Sequence, residues 1–496
     1  MLFNSFEFAV FIATFLTLFF AAPRVARPVL LLVASYIFYA GWRPSFLVFL
    51  LLTTLVDYLS ALTIDTARRN FVRQAALIVA LTINLGLLCS FKYLDFILSN
   101  FVGAAGFFGF TMSPLAFNFI LPIGISFYTF QSVGYTLDVY NRRFPAERNL
   151  LYYALYVAFF PQLVAGPIER ASHMIAQYKV MRSTTPDRIA SGLWLVGWGL
   201  FKKICIADVA SPFVNGIFAT PTAFNGSYTL IASILFALQI YCDFSGYSDI
   251  AIGVARIMGI DLMINFRQPY FSTSLTEFWR RWHISLSTWF RDYLYIPLGG
   301  NRTTRPLWVR NTLVVFGVSG LWHGANWTFL IWGLWHGGAI VIEDLVTRMR
   351  PAPMPVALGA APVSTALTAT EVRVGAGVIG KALGLVYTFA VVLIGWVFFR
   401  AHDFSDAFYI LKSWTAPGPL SYGTFKVAGL PSIEIVELCA NVVLLAAVDG
   451  LIASRSRILE RVRNNRALST VCALILFYDI IISGAFGAFD FIYFQF

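Results

Sequence analysis

Apolar stretches dominate the chain and recur at close intervals. Runs near the length a helix needs to cross a bilayer's hydrocarbon, about 20 residues, lie at 6–22, 28–42, 45–64, 75–91, 117–139, 151–167, 189–211, 228–259, 308–322, 327–346, 380–399, 432–451 and 469–488. Short polar or basic loops separate them, so the pattern predicts an all-α polytopic membrane protein with about 11 or more transmembrane helices. Two stretches, 94–111 and 272–298, are too polar or too glycine-rich for a simple span. They are expected to be re-entrant or interfacial segments, which a bilayer tolerates only where protein or water satisfies the backbone. The stretch 348–377, rich in Pro, Ala, Thr and Val, reads as a mobile loop between two helical blocks. No repeat of solenoid period is visible, and residues 1–496 are expected to form one integral-membrane domain.

Composition narrows the class. Hydrophobic residues make up 58% and charged residues 12%, against about 45–50% and 25% in an average globular chain. So few charges could not cover the surface of a soluble fold of this length, and disorder, collagen and disulfide scaffolds are excluded with it. The net charge of +11 would suit a nucleic-acid partner, but the basic residues sit in short loops between apolar runs, where they orient a chain in a membrane. No nucleic acid is expected. Arg24 and Arg27, then Arg68, Arg69 and Arg73, then Arg142, Arg143 and Arg148 follow alternate spans, which predicts cytoplasmic loops and an outside N-terminus. The cluster Arg455, Arg457, Arg461, Arg463 and Arg466 is read the same way, so the last span delivers the tail 489–496 to the side away from the cytoplasm. The first run has its basic residues after it, the reverse of a secretory signal, and is expected to stay as a span. The five cysteines lack CxxC spacing and suggest neither a disulfide framework nor a metal site, and Cys205 reads as a buried structural thiol rather than a lipidated one.

Ionisable groups inside apolar runs are costly and mark functional pathways, and histidine is the most informative because the chain has only 5. His402 lies in a polar loop after Arg400 and reads as solvated, and His173, in a loop after Ile168-Glu169-Arg170, reads as without a special role. His323 ends an apolar run in Val318-Ser-Gly-Leu-Trp-His-Gly-Ala-Asn-Trp327, with glycines on both sides that allow close approach. It is either a general base or a packed histidine satisfied by a backbone carbonyl. His283 lies in Glu277-Phe-Trp-Arg-Arg-Trp-His-Ile-Ser-Leu-Ser287, near Arg280, Arg281, Arg291, Arg302, Arg305 and Arg310. That stretch is either an ordinary basic interfacial helix or a cytoplasmic mouth, where guanidinium forks hold phosphates and aromatic walls such as Trp282 take an acyl arm. Gly-Leu-Trp-His-Gly occurs at 320–324 and again at 333–337. On one helix, His323 and His336 would point about 140° apart, which argues against twin ligands. Asp243 and Asp249 fall about 120° out of alignment on a helix, and with Ser245 they read as polar struts rather than an acid/base pair. Tyr493, in the aromatic tail 490–496, belongs either to a membrane anchor or to a nucleophile that needs a nearby base.

Five ordered motifs carry a resemblance. Pro161-Gln-Leu-Val-Ala-Gly-Pro-Ile168, Tyr241-Cys-Asp-Phe-Ser-Gly-Tyr-Ser-Asp-Ile-Ala251, Trp282-His-Ile-Ser-Leu-Ser-Thr-Trp-Phe-Arg-Asp-Tyr293, Tyr295-Ile-Pro-Leu-Gly-Gly300 and Gly320-Leu-Trp-His-Gly-Ala-Asn-Trp327 resemble the membrane-bound O-acyltransferases, in their bacterial alginate O-acetylation branch. The opening Met1-Leu-Phe-Asn-Ser5 is similar to that branch too. The resemblance implies a ring of helices with re-entrant segments around a central catalytic tunnel. It implies His323 as the catalytic residue and His283 as a second active-site histidine, with Arg280, Arg281, Arg291 and Trp282 near the donor. Asp243, Ser245, Asp249, Asn326 and His336 become supporting polar groups. It implies no metal and no bound cofactor, but a cytoplasmic acyl thioester donor, acetyl-coenzyme A or an acyl carrier protein. A separate periplasmic esterase-like partner would pass the acyl group to an envelope polysaccharide. The tail Phe491-Ile-Tyr-Phe-Gln-Phe496 is similar to a terminal Phe-x-Tyr-x-x-Phe found in this branch, so Tyr493 is expected to relay the acyl group. D-alanyl transfer from a carrier protein to a teichoic acid or periplasmic glucan is the alternative within the class. A transporter or flippase with histidine proton relays is the alternative outside it, although no inverted repeat is visible.

Overall fold

A computed structural model describes residues 1–110, 117, 119–349, 377–487 and 491–492. The expected loop 348–377 and Tyr493 therefore fall almost wholly, and wholly, outside the described residues. Those residues are overwhelmingly helical, without a β-strand among them. Among the described residues, eight helical segments are long and apolar enough to cross a membrane: Pro44–Thr66, Asn70–Phe107, Pro186–Ala219, Gly226–Ile257, Trp327–Thr347, Val378–Arg400, Ser432–Ala453 and Arg466–Ser483. Phe6–Ala21 and Arg27–Ala40 are shorter apolar helices.

Three sequence expectations need correction. The stretch 94–111 is not re-entrant over most of its length: Leu94–Phe107 continues the Asn70–Leu88 helix through a wider π-type turn at Cys89–Tyr93. The run 117–139 is helical only over Ile125–Tyr140, because the chain enters through Gly124 at φ 74°. A side chain there would drive its Cβ to 2.3 Å from the Leu163 carbonyl oxygen, so glycine is required. The run 151–167 breaks after Leu150–Ala158, where Phe159 leaves helical geometry and Pro161 follows. The break is buried, and side chains satisfy it: the Phe160 amide donates to Ser35 Oγ at 3.1 Å, and Gln162 Nε2 donates to the Tyr156 carbonyl at 2.8 Å. The stretch 272–298 is broken as expected, into Leu275–Arg281, Ile284–Phe290 and a π-type turn at Arg291–Tyr295.

In an apolar solvent, helices gain little from hiding apolar surface and associate through close van der Waals packing of small residues. The Pro186–Leu200 and Gly226–Ile257 helices meet in this way, Gly192 against Gly253 and Gly199 against Gly246. A Cβ on Gly253 would lie 2.5 Å from the Gly192 oxygen, and one on Gly246 would lie 2.7 Å from the Gly199 oxygen. The Arg305–His323 and Trp327–Met349 helices form a second such pair. A Cβ on Gly320 would come 2.2 Å from the Phe329 oxygen, and one on Gly333 would come 2.1 Å from the Phe316 oxygen. The repeated Gly-Leu-Trp-His-Gly is thus two glycine faces of one hairpin, and His323 and His336 lie on different helices rather than on one. Gly246→Leu should destabilise the fold by roughly 1–3 kcal/mol, the usual cost of overpacking. Gly103→Leu, where a Cβ meets nothing within 4 Å, should leave it unchanged. Fluorescence-detected thermal unfolding in detergent measures both.

Candidate active site

His323 is the last residue of the Arg305–His323 helix, whose final carbonyls have no partner within that helix. Two side chains of the Cys89–Tyr93 turn supply the missing donors. Lys92 Nζ donates to the carbonyls of Trp322 at 2.7 Å and His323 at 2.8 Å, and the Tyr93 hydroxyl donates to that of Leu321 at 2.7 Å. A cation at a helix C-terminus also complements the macrodipole. The His323 ring is buried among Trp322 (centroids 4.9 Å), Trp332 (4.9 Å) and Phe399 (5.4 Å). Gly324 has to be glycine, because a Cβ there would sit 2.1 Å from the Phe329 ring.

His283 joins the two short helices of 275–290 in a left-handed conformation, φ 42° and ψ 54°, and is fully buried. Asn265 holds it. Its Oδ1 accepts from the Ser285 amide at 3.2 Å and the Ser285 hydroxyl at 2.9 Å, and faces His283 Nδ1 at 3.2 Å. Because the Ser285 amide can only donate, that Asn265 atom is an oxygen and His283 Nδ1 carries the proton. His283 Nε2, without a partner among the described residues, is left with an open lone pair. Both histidines contact the Trp322 indole, His283 at 6.1 Å and His323 at 4.9 Å. His336 packs on the other side of Trp332 at 5.3 Å and against Trp279 at 5.2 Å. Gly395 makes room for it, since a Cβ there would meet His336 Nε2 at 2.5 Å.

Two cavities flank the end of this helix. One, of about 320 Å³, is lined by Trp279, Arg280, Ser287, Arg291, Tyr295 and, on the histidine helix, Thr312, Phe316 and Ser319. Ser319 and His323 share a helix face four residues apart. The other, of about 240 Å³, is lined by Trp42, Lys92, Pro122, Gly124, Phe127 and Trp322, around the far side of the helix end. Of the sequence-proposed donor residues, Arg280 and Arg291 thus share one largely apolar cavity. Arg281 turns away, with NH2 2.5 Å from Glu277. Trp282 is buried against Trp396 (5.0 Å) and Phe266 (5.1 Å).

The supporting polar groups separate as well. Asn326 starts the next helix, accepting from the Thr328 amide at 3.1 Å and donating to the His402 carbonyl at 3.0 Å. Asp243 pairs with Lys203 at 2.8 Å, and Lys203 pairs in turn with Asp208 at 2.8 Å. Asp249 and Ser245 hold Lys202 at 2.6 and 2.8 Å. Adjacent lysines reach both acids because a π-type turn at Phe201–Ala207 widens the helix there. The strut reading of Asp243 and Asp249 fits this arrangement. Asp243 also accepts from the Ile492 amide at 2.7 Å, and Phe491 packs on Tyr247 at 5.2 Å, so the chain just before Tyr493 is buried in the bundle. Sequence reasoning missed Lys92, Lys202, Lys203 and Asn265. Each lysine lies within or beside an apolar run, a signal available from the start.

Residues 141–366 match the membrane-bound O-acyltransferase family. The chain is 39% identical over 439 residues to the probable alginate O-acetylase AlgI of Azotobacter vinelandii, covering 88% of this chain and 82% of that one. The chain belongs to the membrane-bound O-acyltransferase family. It is also similar to the peptidoglycan O-acetyltransferase of Helicobacter pylori, 33% identical over 95% of this chain and 85% of that one. Similarity to the teichoic acid D-alanyltransferase of Streptococcus thermophilus is narrower, 28% over 46% of this chain and 58% of that one.

Away from the centre of this acyltransferase, Glu169 ties two loops together. Its Oε1 accepts from the Met263 amide at 2.5 Å, and its Oε2 lies 2.8 Å from Nδ1 of half-exposed His173. The hydrogen bond to Glu169 raises the His173 pKa above its ordinary value of 6.5, despite partial burial. A pKa raised on folding contributes stability below the unfolded value and loses it as pH rises through the folded one. Wild type should therefore outlast His173→Gln in thermal unfolding by more at about pH 5.5 than at about pH 8.5.

Proposed function

We propose that this protein transfers an acyl group, acetyl first, from a cytoplasmic thioester to a hydroxyl of an envelope or exported polysaccharide, with His323 as the general base. The observation that carries this reading is that the helix ending at His323 lines two cavities, through Ser319 and through Trp322, and that the first brings Arg280 and Arg291 to a mostly apolar wall. Guanidinium groups suit the phosphates of coenzyme A or of a carrier protein's pantetheine arm, and the apolar wall suits the arm itself. The second cavity, beyond the helix end, is where an acceptor approaches. Edge-to-face contacts with Trp322 and Trp332 and the capped helix end hold the imidazole in place, which limits the reorganisation needed at reaction.

A hydroxyl at His323 gives up its proton as its oxygen bonds to the thioester carbon. The proton then leaves with the sulfur as the C–S bond breaks. His283, with its Nε2 lone pair open, is a second acceptor within the same aromatic shell. The hydroxyl in the first transfer is Tyr493, whose preceding residues are anchored by Asp243. A separate periplasmic esterase-like partner carries the group on to the sugar. Acetyl is favoured over D-alanyl because similarity to the O-acetylating proteins spans most of the chain and similarity to the D-alanyltransferase less than half of it. The basic loops support an inner-membrane orientation with both termini on the periplasmic side.

Intact mass after incubation with acetyl-coenzyme A tests the relay. An acetyl adduct on wild type that is absent from His323→Ala and Tyr493→Phe is expected. An adduct that survives Tyr493→Phe would leave the tail as an anchor only. In steady-state thioester cleavage, Arg280→Ala and Arg291→Ala should each raise the donor KM about tenfold, the loss of a charge-assisted hydrogen bond, with kcat held within about threefold. Arg281→Ala, already committed to Glu277, should stay within about twofold of wild type.

A further inference from the structure

Lys92 is a lysine inside a 38-residue segment apolar enough to cross a membrane, Asn70–Phe107. An intramembrane ammonium is costly unless paired, and it marks a functional position by default. Two of its three N–H groups are accounted for by the carbonyls of Trp322 and His323. Both acceptors are neutral, and no carboxylate pairs with the ammonium among the described residues. This separates it from Lys202 and Lys203, each of which meets an aspartate. Lys92 also lines the cavity of about 240 Å³ that ends at Trp322. A lysine with one N–H to spare and no carboxylate partner among the described residues therefore lines a cavity together with Trp322, one residue from the proposed general base.

We infer that Lys92 is the group that receives negative charge on the acyl oxygen during transfer, as well as the anchor that fixes His323. The inference rests on acyl transfer at His323 as proposed above. As the attacking hydroxyl oxygen bonds to the carbonyl carbon, its proton passes to His323 and the carbonyl π electrons move onto the acyl oxygen. The spare N–H of Lys92 donates to that oxyanion. When the electrons return, the C–S bond breaks and the thiolate takes the proton from His323. A preorganised donor of this kind acts in a water-poor site at the atom where charge develops. Its two carbonyl contacts keep the ammonium from swinging away.

The test is steady-state thioester cleavage by full-length protein in detergent, with acetyl-coenzyme A and with an acetylated carrier protein as donors. Wild type, His323→Ala, Lys92→Met and Lys92→Cys are compared, the last before and after 2-bromoethylamine. That reagent converts the cysteine to an aminoethyl thioether of lysine's length and charge, and treated wild type controls for the exposed native thiols Cys89 and Cys439. Lys92→Met should lower kcat by about 10²–10³, the usual cost of one oxyanion donor, with donor KM within about twofold. Aminoethylation of Lys92→Cys should restore at least a tenth of the wild-type kcat. Melting temperatures are read on the same samples. A Lys92→Met enzyme with kcat within about threefold of wild type overturns the inference while leaving acyl transfer at His323 in place. So does a loss of kcat that only tracks a fallen melting temperature, the two being restored together by aminoethylation, since that is an anchor alone. Wild type inactive with both donors removes the transfer reading, and the inference falls with it.

Discussion

A helix that stops inside a membrane leaves its last carbonyls without partners, and hydrocarbon offers none. The Arg305–His323 helix ends among buried side chains, where water is equally scarce, and the Cys89–Tyr93 turn meets it with an ammonium and a phenol. Much of the central architecture follows from that contact. It lets the chain end a helix on a buried histidine, and it holds the backbone that carries the ring. The π-type turn serves the same end, because the widened helix presents Lys92 and Tyr93 toward the neighbouring helix end.

Around that contact, glycine and aromatic residues divide the work. Glycines bring backbones together: Gly320 against Phe329, Gly333 against Phe316, and Gly246 against Gly199. Aromatic rings fill the remainder, with Trp322, Trp332, Trp279 and Trp396 forming a continuous shell around three histidines. Rigid rings with few rotatable bonds hold an imidazole with little entropic cost. The charged pairs lie further out along the Gly226–Ile257 helix, where Lys202 and Lys203 tie it to the preceding helix and Asp243 holds the chain at Ile492.

The apolar pattern made the class legible, because any chain this poor in charge needs lipid around it. It misled at 151–167, where the run is apolar not to face lipid but because a broken helix is buried in protein, and hydropathy cannot tell the two apart. It misled again at 94–111, where glycine and a few polar residues do not interrupt the helix that continues from Asn70–Leu88. Candidate residues divided by geometry that spacing does not encode. Arg280 and Arg281 are adjacent, yet one faces the cavity and its neighbour faces Glu277, since successive residues on a helix differ by about 100°. The histidine echo looked like two positions on one helix because the reversal at Gly324–Asn326 is too short to break the apolar pattern. Lys92 carried a signal that could have been followed, a lone cation deep in an apolar stretch. Its partners are backbone carbonyls some 230 residues away, which no local pattern reveals.

On the proposed function, two substrates reach His323 from opposite sides, the thioester through the arginine-lined cavity. Determining the structure of the protein with a non-hydrolysable acetyl-coenzyme A analogue, its thioester sulfur replaced by methylene, addresses this most directly. The expected result is phosphates on Arg280 and Arg291, the pantetheine arm along Ser319 and Phe316, and the acyl carbonyl beside His323. An analogue seated instead in the Trp42–Lys92 cavity, or with its phosphates away from both arginines, would contradict it.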